Sequence, residues 1–548
     1  VNTSKRQTGN HPWPISSTGS PRVTAVVAWT MVVLRRGRAT GLGDVIGEPE
    51  RSSKPRGRLE MADVPPLGVQ ISQRAAQAPE HPAVTCAGRT ITRSELDAST
   101  NRLARAYAEL GVGRGDYLTI ALPNSIEFFQ AAIAAWKLGA IPQPLSPRLP
   151  EAEFEAILRL HPRVLLVGRP DPHGEIPSIP RGFTPEPGLS DAELPEAVSP
   201  AWKVMASGGS TGRPKLIEAG NDGRVDLAPF GRALGATDDD TQLISVPLTH
   251  NTGMMSAAVG LTRGHHIVLM PRFEPAEFLR LVAEHRIDWL FTVPTIMHRL
   301  LAVYDKDPTA YDLSSIRQMG HVGAPCPPSV KKRWIEILGP DAVWEVYGGT
   351  EAQAFTVIGG RDWLEHPGSV GKVAGGEMKV LDDEGRKCPP GVVGEVFMRP
   401  VPGSPPAYRY IGATAKTRDG WDSLGDLGYF DEDGFLYLND RRVDMFTVGG
   451  RNVYPAEIEN ALSAHPDVLS CLVVGVPDDD LGQVPYALVQ AEGLDEAAVI
   501  DFLAERIASY KVPRSVEFVA APLRDDAGKA RRSAVRDAVI ARLADTRA

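Results

Sequence analysis

Apolar positions change period along this chain, and each change marks an element. Between Arg93 and Leu110, the residues Leu96, Leu103, Ala106, Tyr107 and Leu110 recur near helical spacing, and Gly111 follows as a stop. The apolar run over 116–122 predicts a buried strand. Asn124 or Ser125 then caps a helix over 126–138 that ends at Gly139. Residues 163–168 read as another buried strand, and 170–188 as a proline-rich surface loop. Strand, helix and strand repeat over 265–294. Alternation of this kind predicts an α/β protein with helices on both faces of a sheet. After about Gly391, short strands and turns such as "GYFDEDGFLYL" predict a β-rich subdomain, and the tail predicts a small α+β unit.

Length and charge narrow the class. At roughly 100–200 residues per domain, 548 residues exceed one ordinary core. A net charge of −9 argues against a dedicated nucleic-acid binder, which shows a basic face. Cys86, Cys326, Cys388 and Cys471 lie far apart with no metal-ligand spacing. They read as reduced thiols of a cytoplasmic protein, with two disulfides as the alternative.

The first 60 residues are basic and differ from the rest. Their apolar run, 23–34, is shorter than the ~20 residues a membrane span needs. "RRGR" follows that run, where a signal peptide would place its basic residues before it. Met61 opens an ordinary protein start, so 1–60 is expected to be a disordered or spurious extension, with a weak membrane-surface anchor as the alternative. No stable membrane span is expected, and the oligomeric state stays open.

The chemistry begins with "SGGSTGRPK", 207–215. Glycines let backbone N–H groups turn toward an anion, and hydroxyls and a lysine add donors and charge. Arg213 and Pro214 separate Gly212 from Lys215, so this is not the common nucleotide-hydrolase loop. Alone it predicts phosphate binding, or a Ser/Gly surface loop.

The loop closely resembles the signature of the AMP-forming adenylating enzymes: acyl-CoA synthetases, adenylation domains of peptide synthetases, and luciferases. Further segments resemble that family's motifs in its order: "PLTHNTG" (247–253), "GAP" (323–325), "YGGTE" (347–351), "GDLGYFDEDGFLYLNDRRVD" (425–444), "GGRNVYPAEIE" (449–459) and "DDAGKARR" (525–532). The resemblance covers about 63–539. It implies a large AMP-binding domain over 61–440 built of layered αβ subdomains and a β-rich subdomain. A hinge over 441–445 and a small mobile α+β domain over 446–548 complete it.

The implied reaction joins a carboxylic acid to a thiol, with ATP, Mg²⁺ and coenzyme A as cofactors and co-substrates and no nucleic acid. On the family pattern Ser210, Thr211, Gly212 and Lys215 grip the pyrophosphate end, Gly208 and Gly209 make the turn, and Ser207 opens this cofactor-binding loop. Thr350 meets the α-phosphate, and Glu351 holds Mg²⁺. Gly323, Ala324 and Pro325 form the adenine-side loop, and Tyr347 stacks on adenine. Asp426 binds ribose and Arg441 assists it. Lys529 meets the carboxylate and the α-phosphate; only its "GK" context separates it from Arg531, Arg532 and Arg536. His250 stands at the gate between ATP and acyl sides, or is a core histidine. Gly449 and Gly450 lie where the small domain meets CoA, or form a plain turn.

Two positions depart from the pattern. Leu424 replaces a common Thr, and Val443 stands at the hinge pivot in place of Asp or Lys. Gly349, where relatives often carry a bulkier residue, is expected to open the acyl pocket. With "DWLEHPGSVG" (362–371) resembling bile-acid CoA ligases, a hydrophobic fatty or ring-containing, steroid-type acid is expected. A stand-alone enzyme loading a carrier protein is the alternative acceptor reading. A non-catalytic binding protein is a third, disfavoured by Glu351, Asp426 and Lys529.

Overall fold

The helix Ile126–Lys137 is apolar nearly all round because it lies between two sheets. It packs against strands Tyr117–Ile120 and Ile141–Pro144 on one side and Pro82–Cys86 on the other. In this computed structural model residues 64–208, 214–478, 480–525 and 528–547 are described; the extension expected over 1–60 lies outside them. Of the two candidate caps, Ser125 accepts from the Phe128 N–H at 3.2 Å. Asn124 instead donates to the carbonyls of Val246 and Met270 and accepts from the Leu248 N–H, tying the helix entry to the larger sheet.

The smaller sheet is all parallel, in the order 141–144, 117–120, 165–168, 178–180. Its edge strand, Ser178–Pro180, comes from the segment expected to be a surface loop; proline is tolerated there because an edge needs fewer N–H donors. The strand expected from 163 starts at Leu165. Arg163 is instead buried and donates to the carbonyls of Ile157, Leu158 and His161, closing the end of helix Glu151–Leu158.

The larger sheet has a parallel centre: Pro82–Cys86, His266–Leu269, Thr241–Ile244, Trp289–Thr292, Gln318–His321 and Val343–Gly348. Antiparallel strands Phe355–Gly359 and Ser369–Gly375 continue it into Leu436–Arg441, Trp421–Phe430, Gly394–Arg399 and Glu377–Leu381. The β-rich part thus grows from the main sheet. A separate three-stranded sheet joins the hairpin Val204–Gly208 and Pro214–Ala219 to Tyr408–Ile411.

Beyond 446 the chain builds its own cores. Strands Val468–Asp478, Gly482–Ala491 and Ser515–Phe518 carry helices Pro455–Leu462, Glu496–Ala504 and Arg532–Arg547. The fold is the mixed α/β arrangement of a large N-terminal and a small C-terminal domain expected from the sequence.

Candidate active site

Strand pairing in the hairpin sets Ser207 opposite Lys215 and Gly208 opposite Pro214, so the two ends of the "SGGSTGRPK" segment lie side by side. Gly209, Ser210, Thr211 and Gly212 lie outside the described residues. Lys215 projects over the ring of Tyr410, 3.8 Å from its centroid, and its Nζ lies 3.6 Å from Glu351 Oε1. Burial holds the Lys215 amine below the ordinary lysine value, and Glu351 offsets only part of this.

Glu351 stands on a tight turn after the strand Val343–Gly348. The Ala352 N–H closes it onto the Gly349 carbonyl, with Ala352 at φ 53°. A non-glycine residue in the left-handed region costs about 1–2 kcal/mol, so the surrounding packing holds this turn. Glu351 is buried, and its Oε1 accepts from the Tyr410 hydroxyl at 2.5 Å. Thr350, half-buried, precedes it on the same turn. Gly349 does not open an acyl pocket. A Cβ there would lie 2.5 Å from Leu424 Cδ1 and 2.7 Å from Glu351 Oε2, so the glycine makes room for the carboxylate and for the leucine.

Asp426 and Arg441 are paired across neighbouring strands, with Arg441 Nε 3.3 Å from Asp426 Oδ1. The Tyr347 hydroxyl donates to Asp426 Oδ2 at 2.7 Å. Burial, and then the Asp426 charge, push the Tyr347 phenol well above its usual value; Asp426 likewise holds Arg441 above the usual arginine range. Each Asp426 oxygen has two lone pairs, so both can still accept a sugar hydroxyl.

Lys529 arrives from the small domain on a turn that Asp525 closes: its carboxylate accepts from the Lys529 N–H at 2.8 Å, and its carbonyl from the Gly528 N–H at 2.9 Å. A Cβ on Gly528 would touch Thr295 Oγ1 at 3.1 Å and Val293 at 3.7 Å, and Val293 in turn lies 3.7 Å from the Cβ position of Gly323. The adenine-side loop Gly323, Ala324 and Pro325 and the lysine turn therefore flank one residue. Lys529 as a whole residue keeps exposed surface. Even so, desolvation and the Arg441 charge hold its amine below the ordinary value, against the pull of Asp525 and Glu351.

The structure thus gathers Lys215, Tyr347, Glu351, Asp426, Arg441 and Lys529. His250 occupies the position before helix Asn251–Arg263 in an extended backbone, and its side chain makes no capping bond. Gly449 and Gly450 form an exposed turn on the small domain, both at positive φ. Tyr410 was missed by sequence reasoning; its only signal is the Tyr408–Tyr410 alternation on a strand. Lys203 was missed as well. It is buried with no carboxylate partner among the described residues, its amine bonds Asn251 beside His250, and burial pushes its pKa down to about 7.

Comparison with known proteins places the chain in a family. Residues 71–401 match the family described as AMP-binding enzyme, and 457–529 match the AMP-binding enzyme C-terminal domain. A 2-succinylbenzoate–CoA ligase of Bacillus licheniformis is 30% identical over 82% of this chain and 95% of its own length. A feruloyl-CoA synthase of Amycolatopsis sp is 32% identical over 82% and 94%. The o-succinylbenzoate CoA synthetase of Bacillus subtilis, solved with its acyl-adenylate intermediate, superposes with a TM-score of 0.73 at 28% identity, covering 85% of this chain and 98% of that one. The chain belongs to the AMP-binding enzyme family and is one of its AMP-forming acid–thiol ligases, working with ATP, Mg²⁺ and CoA.

Proposed function

We propose that the protein activates an aromatic carboxylic acid as its acyl-adenylate and passes the acyl group to CoA. The observation that carries the first half is charge. Lys215, Arg441 and Lys529 converge on Glu351 and Asp426, and both lysine amines stay depressed. Three cations thus face the two carboxylates, an arrangement that suits a polyanion. The relatives that act on succinylbenzoate and ferulate favour an aryl acid over the fatty or steroid acid expected from the motifs.

In the first half an oxygen of the acid attacks the α-phosphorus of ATP, and the bond to the β-phosphate breaks as pyrophosphate leaves with its electron pair. Lys215 and the "SGGSTGRPK" segment hold the departing pyrophosphate, Thr350 the α-phosphate, and Lys529 the carboxylate and the bridging oxygen. Tyr347 faces the base and Asp426 with Arg441 the ribose. Glu351 fits Mg²⁺: among the described residues its Oε1 takes one hydrogen bond and its Oε2 none, leaving hard oxygen for a hard cation. Bound there, the ion would offset phosphate charge. In the second half the CoA sulfur attacks the acyl carbon, AMP leaves, and the thiol proton passes to solvent. Residues 441–445 serve as the hinge about which 446–548 turns between the halves, with Gly449 and Gly450 facing CoA.

Pyrophosphate release across a panel of aryl and alkyl acids, with and without CoA, tests this. Aryl acids should release pyrophosphate and yield CoA thioesters. Lys529→Ala should abolish adenylation yet still convert supplied acyl-adenylate to thioester. Release with no acid, or with alkyl acids alone, sinks the reading. Adenylate that accumulates untouched by CoA would turn it toward a carrier-protein acceptor.

A further inference from the structure

Phe291, Gly320 and Trp344 form one row across three neighbouring strands of the large sheet. Trp289, two residues before Phe291 on the same face, pairs with Gln242, whose side chain donates to Ser256 of helix Asn251–Arg263. The row thus faces that helix, whose first turn follows His250. The opposite face is closed: Glu345 of the next row is buried against Lys331, Nζ to Oε2 at 2.7 Å, from helix Pro328–Leu338.

Trp344 takes the space a side chain at 320 would fill. A Cβ on Gly320 would lie 2.1 Å from its ring, and the ring stacks on Phe291 with centroids 5.1 Å apart. Trp344 is 5% exposed, yet its indole Nε1 has no acceptor among the described residues. A buried donor left without a partner is destabilising and uncommon. Toward the active site the same strand face carries Val346. Phe355, paired with Gly348, stands edge-on to Phe230 at 6.0 Å. Phe230, Met255 and Phe355 are only partly buried, although they pack on the main core. The strand then delivers Tyr347 and the turn bearing Glu351.

We infer that Trp344 is the floor of the acyl recess, and that its indole N–H selects aryl acids carrying an acceptor oxygen on the ring edge remote from the carboxylate. This rests on the acid-activation reading above. The flat indole and its aromatic neighbours suit a planar ring, and the bulk over Gly320 stops an extended chain. The N–H binds a hydroxyl, ether, carbonyl or carboxylate oxygen.

The test compares pyrophosphate release by cinnamate, 4-hydroxycinnamate and octanoate in the full-length protein, its Trp344→Phe variant and its Trp344→Ala variant. In the parent, kcat/KM should favour 4-hydroxycinnamate over cinnamate. Trp344→Phe keeps a ring and loses the N–H, so that preference should fall about tenfold, the size of one net hydrogen bond, with the KM for ATP unchanged. Trp344→Ala should admit octanoate. An unchanged preference in Trp344→Phe overturns the role of the N–H, and octanoate still excluded by a folded Trp344→Ala overturns the floor. Were Trp344→Ala to misfold, Trp344→Phe alone decides. No release by the parent with any acid overturns instead the acid-activation reading on which the proposal stands.

Discussion

The phenol of Tyr410 donates to Glu351 Oε1 at 2.5 Å while its ring lies 3.8 Å beneath the Lys215 ammonium. One side chain thus fixes an anion and a cation at once. Tyr410→Phe keeps the ring and removes the donor. Hydrogen bonds to charged groups contribute about 1.5–3 kcal/mol, so adenylation should fall roughly ten- to a hundredfold and need more Mg²⁺. Pyrophosphate release against Mg²⁺ concentration measures both; a variant matching the parent would show that the tyrosine does not position Glu351.

Gly349, the variable position of its motif, lies against Leu424, one of the two departures from the family pattern. Gly349→Ala should lower adenylation by on the order of tenfold, because the new methyl meets Leu424 and the Glu351 carboxylate. Adding Leu424→Ala should recover part of the loss. A double-mutant cycle on pyrophosphate release gives the coupling, and strict additivity would mean the contact carries none.

The Lys215 and Lys529 amines sit below their usual values by burial, with Arg441 adding to this at each. Phosphates arriving between them restore the charged form, so their pKa values rise when ATP binds. A rising pKa means proton uptake in the alkaline range between the free and bound values. Calorimetry in buffers of different ionisation enthalpy should detect that uptake, and Lys529→Gln should reduce it. Proton release would reverse the sign and refute the charge argument.

Asp440 offers a pH test of the small domain's placement. Its carboxylate accepts from the Ala456 N–H at 2.8 Å, joining the last strand of the large domain to the first helix of the small one. Burial, and to a lesser degree Glu459, push its pKa up to about 6, against Arg532 and the N–H groups of Ala456 and Arg441. Released into water, a carboxylate titrates near 3.9. The seated pose therefore binds the proton more tightly, and lowering pH from about 6 toward about 4 favours it. Thioester formation from supplied acyl-adenylate should slow relative to adenylation across that window. Asp440→Asn, which keeps an acceptor and does not titrate, should flatten the ratio; a ratio that still falls would point to another group.

The parts legible in the sequence were those that lie contiguously. Glycine stops and a cap at Asn124 or Ser125 each depend on a few adjacent residues. Lys215, Tyr347, Glu351, Asp426, Arg441 and Lys529 could be singled out together because each sits in its own short motif. Tyr410 was not, because only the pairing of Tyr408–Ile411 with Pro214–Ala219 carries it to Glu351. Gly349 was misread for the same reason: its neighbour Leu424 is brought by a strand from far along the chain. Arg163 looked like the start of a strand because its apolar neighbours hid its role at a helix end.

The hydrophobic clusters among the described residues stop at the hinge proposed over 441–445: those of the large domain end before 441, and those of the small domain begin at Phe446. Across it run the polar ties Asp440 to Ala456 and Arg531 to Glu153 and the small contact of Gly528 with Val293, while Arg532 holds Asp444 between the domains. A turn of the small domain therefore uncovers little oil. Its heat-capacity change should be close to zero, since that quantity tracks apolar surface. The balance between the two poses should then drift only slowly with temperature, leaving the bound nucleotide and acyl group to decide which one is held.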